Sequence, residues 1–95
     1  MYRKEIWSVQ TILHVWSKAK IILGQNPLTY RKDNCGAIIR FNDHGNRESK
    51  FGWEIDHIIP KSQYGSDLLF NLQPLQWENN AAKGDSTILR CAVRS

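Results

Sequence analysis

An acidic residue and a histidine stand side by side at the end of the apolar stretch WEIDHIIP, residues 53–60. Side chains of an extended strand alternate between two faces, so Glu54 and Asp56 share one face and His57 lies on the other. Pro60 then ends regular structure. Two interpretations fit this pattern: a strand edge whose charged face is solvated, or a metal site with a general base beside it.

Polar residues further along the chain favour the metal site. Asn71 opens a short apolar segment, and Asn80 follows nine positions later. Lys83 lies three residues after Asn80, so a helix would present both on one face. If that helix packs on the strand, Asn80 comes close to Asp56. A carboxylate and an amide carbonyl are hard oxygen donors that suit Mg²⁺, with water and substrate phosphate completing the shell.

The histidine is placed to do something different from the proposed ligand beside it. Because His57 lies on the opposite face of an ideal strand from Asp56, we expect it to act on a separate partner. That partner would be a water molecule next to the bound phosphate, provided that the strand curls into the loop that follows. An unperturbed imidazole has a pKa of about 6.5 and can accept a proton at neutral pH.

The elements that must position these residues are predicted from hydrophobic periodicity and from turn residues. In order, they are a helix over 4–17, a loop over 18–33, a strand over 37–41, a turn over 42–46, a strand over 51–58, a loop over 60–67, a strand over 69–75 broken by Pro74, and a helix over 76–85 ended by Gly84. The second half therefore consists of two strands and a helix that carry all the candidate polar residues.

The order WEIDHIIP, NLQPL, NNAAKGD resembles the HNH endonucleases, and the three motif positions of that family fall on His57, Asn71 and Asn80. The resemblance covers residues 51–85. A looser likeness in AKIILGQNPLTYRKDNCG extends it back to about Trp16, towards small stand-alone bacterial or phage HNH proteins. It implies an α+β fold: a ββα-metal core made of a short β-hairpin packed on a helix, with an N-terminal helical or extended extension, in a single domain over 1–95.

The resemblance also implies a role for each motif residue. His57 would be the general base that activates the attacking water, and Asp56 and Asn80 would hold one divalent metal. Asn71 would orient the loop that carries His57 through backbone hydrogen bonds. The metal would neutralise charge on the phosphate and assist the leaving 3′ oxygen, which gives a 5′ phosphate and a 3′ hydroxyl.

The implied cofactor is one divalent ion, Mg²⁺, with Mn²⁺ or another divalent ion as the alternative. Asn80 stands where many relatives have a histidine, and its oxygen favours a hard cation. Many HNH proteins also bind a structural zinc through two CxxC pairs. The corresponding positions here include Cys35 and Ile38 on one side and Gln76 and Asn79 on the other. We therefore expect no structural zinc, with the N-terminal helix and the tryptophans stabilising the fold instead.

The charge distribution favours a polyanionic partner, with double-stranded DNA as the expected one. The 95 residues carry a net charge of +4. Residues 1–50 hold nine Lys and Arg against four acids, and residues 51–95 hold four against five. Basic side chains bind phosphates whatever the base sequence is. The candidate nucleic-acid contacts are Lys83, Arg31, Lys32 and Lys61, with a solvated loop or helix end as the alternative.

Cysteine usage and hydropathy bear on where the protein works. Cys35 and Cys91 lie far apart and match no zinc spacing, which predicts free buried thiols in a reducing compartment. Polar residues interrupt the apolar N-terminal stretch, no small-residue cleavage site follows it, and no run reaches transmembrane length. We expect a soluble, cytoplasmic monomer or weak homodimer without membrane contact.

The leading hypothesis is a small metal-dependent HNH endonuclease that hydrolyses DNA phosphodiester bonds. The alternative is a non-catalytic nucleic-acid-binding module with the same fold. A protein-interaction domain with a tryptophan-rich face would leave the constellation of His57, Asp56 and Asn80 unexplained. Glu54 is expected to be a solvated or salt-bridged strand residue rather than a metal ligand.

Overall fold

The structure is a computed structural model, and it describes residues 6–95. Its helices and strands are, in chain order, α1 (Val9–Trp16), β1 (Lys20–Ile21), β2 (Tyr30–Lys32), β3 (Ile38–Arg40), β4 (Trp53–His57), β5 (Leu72–Gln76) and α2 (Trp77–Lys83). Single 3₁₀ turns occupy Phe41–Asp43, Lys61–Gln63 and Leu69–Asn71. The strands form two separate antiparallel sheets, β1-β2-β3 and β4-β5. The predicted α+β class is confirmed. None of the helices within residues 6–95 has the length and apolar character needed to cross a membrane.

Helix α1 is shorter than the predicted helix over 4–17. Its first turn is capped by Ser8, whose hydroxyl accepts a hydrogen bond from the backbone N–H of Thr11 at 3.1 Å. A capping serine takes an extended backbone, so residues 6–8 lie before the helix. The rest of the predicted segment, residues 4 and 5, lies outside the described residues. Val15 and Trp16 are the buried residues of the helix.

The hairpin of β4 and β5 runs in a continuous register from Trp53 opposite Gln76 to His57 opposite Leu72. Pro74 pairs with Ile55 and does not break the strand, so the predicted interruption is wrong. The reason is that, in the part of the chain that the structure describes, this sheet consists of two strands. β5 therefore has a free edge, where a residue without an N–H group is tolerated.

The sheet β1-β2-β3 lies within residues predicted mainly as loop. Residues 18–33 contain β1 and β2, which pair antiparallel with Lys20 opposite Lys32, and β2 pairs in turn with β3. The prediction of a loop throughout this segment is wrong. Strands of two and three residues are too short to show an alternating pattern, and these two are rich in Lys and Arg, so periodicity gave no indication of them.

The hydrophobic core lies between α1, the inner face of β3 and the hairpin. Trp16 and Trp53 are its largest members, with ring centroids 5.3 Å apart, and Phe41 packs edge-on against Trp16. The other buried members are Val15, Ala19, Ile39, Ile55 and Leu72. Burial of these side chains fixes β4 against the rest of the molecule, because Trp53 and Ile55 belong to that strand.

The prediction of free thiols is wrong, because Cys35 and Cys91 form a disulfide that spans 56 residues of sequence. The C-terminal segment returns to α2 and β3. Val93 exchanges two backbone hydrogen bonds with the side chain of Asn79, and Ser95 Oγ accepts one from Ile38 N–H. This return brings the two cysteine Cα atoms to 5.6 Å, within bridging distance. The prediction of a reducing compartment depended on free thiols, so it is no longer supported.

A buried carboxylate ties the turn around Cys35 to the start of α2. Asp33 Oδ1 accepts hydrogen bonds from the backbone N–H groups of Cys35 and Ala37. Its Oδ2 accepts from the N–H of Gln76 and from Asn79 Nδ2. Gln76 and Asn79 are the positions where zinc-binding relatives would place cysteines, and here they are held by Asp33.

Candidate active site

All five residues of β4 are buried, although three of them are Glu54, Asp56 and His57. Alternation along the strand places Glu54 and Asp56 on the same face, and α2 covers that face. Asn80 Nδ2 lies 2.8 Å from Glu54 Oε1, and Lys83 Nζ lies 3.2 Å from Asp56 Oδ1. Helix α2 therefore packs on the acidic face of the strand, but Asn80 meets Glu54 and it is Lys83 that meets Asp56, so the expected approach of Asn80 to Asp56 stays a prediction.

Asp56 lies in a buried polar cluster. Its Oδ2 accepts a hydrogen bond from Nε2 of Gln73, the residue directly opposite it on β5, at 2.9 Å. Burial raises the pKa of the Asp56 carboxyl above its ordinary value, and the Gln73 hydrogen bond and the Lys83 charge oppose that rise. The carboxylate is thus held by one neutral and one cationic donor.

Lys83 is an internal residue and not a surface contact. It is only 3% exposed, and its ammonium group donates to the backbone oxygen of His57 at 2.8 Å as well as pairing with Asp56. A buried ion pair depends on both of its partners, because removal of one leaves the other buried without a countercharge. Lys83 therefore joins the last turn of α2 to the end of β4, and it is not available to a phosphate at the surface.

Glu54 carries an ion pair of its own, which is the salt-bridged alternative expected from the sequence. Arg47 Nε and a second guanidinium nitrogen contact its two carboxylate oxygens at 2.7 and 2.9 Å. Bidentate pairs of this kind are both strong and directional. With Asn80 also donating to Oε1, this carboxylate fixes the orientation of the Asn80 side chain.

His57 is held by an acidic residue from the following loop. Its Nε2 lies 2.7 Å from Oδ1 of Asp67, and the second Asp67 oxygen pairs with Lys61 Nζ at 3.3 Å. The hydrogen bond from His57 is the main reason that the pKa of Asp67 is lowered, and Lys61 adds to it. Because a carboxylate only accepts, Nε2 carries the proton, and Nδ1 of a neutral ring keeps its lone pair. Trp7 lies beside the ring, with centroids 5.7 Å apart.

Asn71 closes the loop between the histidine and β5, which we call the 58–71 loop. Its Oδ1 accepts from Ile59 N–H at 2.8 Å, and its Nδ2 donates to the carbonyl oxygens of Ile59 and Ser66 at 3.0 and 2.8 Å. The backbone oxygen of Asn71 also accepts from Ile58 N–H. These bonds fix the chain directly after His57, as the resemblance implied for Asn71.

The basic residues predicted to contact nucleic acid lie in different surroundings. Arg31 is turned inward: it donates to the backbone oxygens of Pro27, Ser17 and Ala19, and its guanidinium lies 5.8 Å from the Trp16 ring centroid. Lys32 lies on β2, in the other sheet. Lys61 is exposed on the 58–71 loop beside Asp67.

Sequence reasoning missed Asp67, Gln73 and Trp7 as neighbours of the site. Gln73 could have been found from the strand register, since it directly opposes Asp56. Asp67 sits in a polar loop where an acid is unremarkable, and nothing in its spacing indicated that the loop folds back onto His57. Trp7 precedes the first helix, and only the tertiary fold brings it to the imidazole.

The donor atoms fit a hard divalent cation. Within residues 6–95, no group of three or more His, Cys, Asp or Glu side chains could hold a metal ion, so other ligands must come from amide oxygen, water or substrate. Asp56 and Asn80 supply a carboxylate and an amide oxygen from adjacent elements. Each Asp56 oxygen accepts one hydrogen bond, and a carboxylate has about four acceptor positions in all. Mg²⁺ and Mn²⁺ prefer such ligands.

A hairpin of two strands followed directly by a helix, with a buried Asp-His pair between them, defines a ββα core. A family model described as HNH endonuclease matches residues 36–88, more than half of the chain. The chain belongs to the HNH endonuclease family, whose members are generally nucleases that act on nucleic acid and typically use a divalent metal. No curated protein and no solved structure matches the chain significantly.

Proposed function

We propose that this protein is a metal-dependent endonuclease that hydrolyses DNA phosphodiester bonds, with His57 as the general base. One observation carries the proposal. The His57 imidazole is fixed at Nε2 by Asp67, at the end of the strand that presents Asp56. A carboxylate on one ring nitrogen orients a histidine and fixes its tautomer, which leaves the other nitrogen to act as a general base.

Asp56 and Asn80 would hold one divalent cation, Mg²⁺ or Mn²⁺. Bound there, the cation would supply neutralisation of negative charge at the phosphate and at the leaving oxygen. Lys83 and Gln73 keep the Asp56 carboxylate oriented for this task, and Glu54 does the same for the Asn80 amide.

The protein's own groups account for the movement of the proton. His57 would take a proton from the attacking water at Nδ1, and the ring would then be cationic. Asp67 stabilises that cation through its carboxylate and keeps the ring from rotating. Asn71 holds the backbone on either side of this pair, because its side chain bonds to both Ile59 and Ser66.

Among the basic residues, Lys61 and Lys32 are the proposed phosphate contacts. Lys61 is exposed and lies within one hydrogen-bonded cluster with Asp67 and His57. Lys32 is discussed below. We do not extend this role to Lys83 or Arg31, because both side chains donate hydrogen bonds to backbone oxygens of the protein.

A second candidate function is a nucleic-acid-binding module without catalysis. One observation favours it: Lys83 already neutralises Asp56, and the Asn80 amide nitrogen is already engaged by Glu54. A site whose polar groups are paired with one another in this way could serve to stabilise the fold without any catalysis.

Nicking of supercoiled plasmid separates these candidates. The protein is incubated with Mg²⁺ or Mn²⁺, and in parallel with EDTA. Loss of a general base typically lowers the rate about a hundredfold to ten-thousandfold, and this is the expected effect of His57→Ala. His14→Ala is the matched control, since His14 is an exposed residue of α1. Unchanged nicking by His57→Ala would refute the mechanism, and a wild-type protein inactive with every divalent ion would refute catalysis and leave the binding module as the remaining candidate.

A further inference from the structure

The sheet β1-β2-β3 has an outer face that the proposed chemistry at His57 does not use. Directly paired residues of antiparallel strands point to the same side. The register pairs Lys20 with Lys32 and Tyr30 with Arg40, and it pairs Lys32 with Ile38. These five residues therefore share one face. The opposite face carries Arg31 and the fully buried Ile39, so it is the face that points into the molecule.

Among the described residues, no acidic side chain forms an ion pair with the cations on this outer face. Within residues 6–95, the ion pairs involve Arg47, His57, Lys61 and Lys83, and none includes Lys20, Lys32 or Arg40. Three like charges on one small sheet repel one another. An anionic partner would relieve that repulsion, so the face is complementary to a chain of phosphates.

An apolar pocket opens beside these cations, because Tyr30 and Ile38 of its lining pair with Arg40 and Lys32 in the sheet. It has a volume of 230 Å³ and is lined by Ile22, Gln25, Tyr30, Ile38 and Phe51. The Tyr30 and Phe51 rings meet edge to face, with centroids 5.5 Å apart. Lys50 adds a further cation, 5.0 Å from the Phe51 centroid.

Cations beside an aromatic pocket are suited to binding single-stranded nucleic acid. Phosphates bind the cations, and a base that is not stacked on its neighbours can place its flat face against an aromatic ring. A continuous duplex keeps its bases stacked and could use only the cations. Gln25 supplies an amide side chain to the lining, which can bond to the edge of a base.

We infer that the outer face of β1-β2-β3 binds a single-stranded stretch of DNA, with phosphates on Lys20, Lys32 and Arg40 and one unstacked base in the pocket beside Tyr30. This inference rests on the proposed function, since it assigns a docking surface to the strand that His57 would cleave. It also names the form of DNA, a substrate with unpaired nucleotides, that the enzyme would prefer.

Binding is measured in EDTA, so that cleavage cannot contribute. The probes are a short fluorescein-labelled oligothymidine and a labelled duplex of the same length, followed by fluorescence anisotropy at several salt concentrations. The wild-type protein is expected to bind the single strand more tightly. Equal or tighter binding of the duplex would overturn the inference, as would failure to bind either probe.

Two sets of variants test the cations and the pocket separately. Lys32→Ala/Arg40→Ala should weaken binding at least tenfold and reduce the slope of log affinity against log salt by about 1.4. The matched control is Arg90→Ala/Arg94→Ala, which removes the same charge from two exposed residues of the C-terminal segment. If the two pairs weaken binding equally, the face is not the docking surface.

Tyr30→Leu should weaken binding of the single strand about 5- to 100-fold, because base–aromatic stacking is lost, and it should leave duplex binding unchanged. Tyr30→Phe keeps the ring and should bind as the wild type does. An equal effect of Tyr30→Leu on both probes would refute the base pocket. Plasmid nicking by the same preparations keeps the two proposals apart: nicking without selective binding defeats only this inference, and selective binding without nicking defeats only the catalytic one.

Discussion

The imidazole Nε2 of His57 lies 2.7 Å from the carboxylate of Asp67, a residue ten positions further along the chain whose side chain is 56% exposed. The contact joins the end of a buried strand to a surface loop. It gives the imidazole a fixed rotamer and a defined tautomer, with the proton at Nε2. In the proposed mechanism Asp67 is thus a positioning residue that would act through His57.

Replacing Asp67 by asparagine should lower kcat for nicking about 10- to 100-fold, the usual cost of losing a group that orients a catalytic ligand. The amide has no charge to stabilise the protonated ring, and it can turn its NH₂ group towards Nε2 and favour the wrong tautomer. KM should change little, because the loss affects the transition state. Steady-state nicking gives both constants. Asp85→Asn, at another exposed acid, is the control, and an equal loss there would show that Asp67 acts only through surface charge.

The same pair should contribute to stability in a pH-dependent way. The His57 hydrogen bond lowers the pKa of Asp67 below its ordinary value of 3.8. A carboxyl whose pKa is lower in the folded protein stabilises it above the unfolded value and loses that contribution as pH falls through the folded value. Urea unfolding of the wild type and Asp67→Asn, from about pH 5 down to about pH 2, should therefore show a difference that vanishes at the acid end. A difference that stays constant would contradict this assignment.

Loss of the buried cation at Lys83 should destabilise the protein most near neutral pH and least at low pH. This is the reverse of the pH dependence expected for Asp67. Lys83→Met leaves the Asp56 carboxylate buried without its countercharge, which typically costs about 3–5 kcal/mol near neutral pH. The pKa of Asp56, already raised by burial, should rise further. A carboxyl with a raised pKa contributes stability below its unfolded value of 3.8 and loses it as pH rises through the folded value. The free energy of unfolding should thus recover towards low pH.

The double variant Asp56→Asn/Lys83→Met provides the check on that explanation. It removes both charges and should be more stable at neutral pH than Lys83→Met alone. If the single and double variants unfold at the same urea concentration, the loss comes from packing of the lysine stem.

The side-chain bonds of Asn71 should matter for both stability and activity. Asn71→Ala removes the partners of Ile59 N–H and of two carbonyl oxygens, and each unsatisfied buried group costs about 1–3 kcal/mol. Nicking should fall even where the protein remains folded, because the loop that carries Asp67 is released. Activity measured well below the melting temperature tests this, with Ser66→Ala as a control that keeps the Ser66 backbone oxygen. Full activity in Asn71→Ala would show that the loop needs no such support.

The disulfide should contribute substantially to stability. Closing a loop of 56 residues is worth about 4 kcal/mol in the chain-entropy account, so Cys35→Ser/Cys91→Ser should have a free energy of unfolding lower by that amount, measured by urea unfolding. A reducing agent should destabilise the wild type similarly and leave the serine variant unaffected. Two thiols that titrate in the native, unreduced protein would contradict the bond.

The packing of α2 on β4 was more predictable from sequence than the sheet β1-β2-β3. One face of the helix could be placed against the acidic face of the strand because strand alternation and helical spacing are local rules, whereas the metal-binding roles of Asp56 and Asn80 stay predictions. β1 and β2 could not be found, since strands of two and three residues owe their existence to pairing with β3 and not to their own pattern.

The remaining misses arise from contacts between residues far apart in the chain. Asp67 meets His57 only because Asn71 folds the loop back, and Cys35 meets Cys91 only because the C-terminal segment returns along α2. The helix α1 begins late because Ser8 caps it, although the apolar spacing extends further towards the N-terminus. Local patterns do not record any of these long-range outcomes.

The 58–71 loop has a base held by backbone contacts and a tip whose side chains are exposed. Asn71 bonds its two sides together, and a side chain at Gly65 would overlap the carbonyl oxygen of Ile59, so backbone packs on backbone there. Lys61–Gln63 and Tyr64, by contrast, point outward, with Tyr64 98% exposed and in the left-handed region at φ 67°. A library that varies Tyr64 alone, with Asn or Gly favoured there, would alter the outermost surface of the loop while keeping the contact of Lys61 with Asp67 and the position of His57.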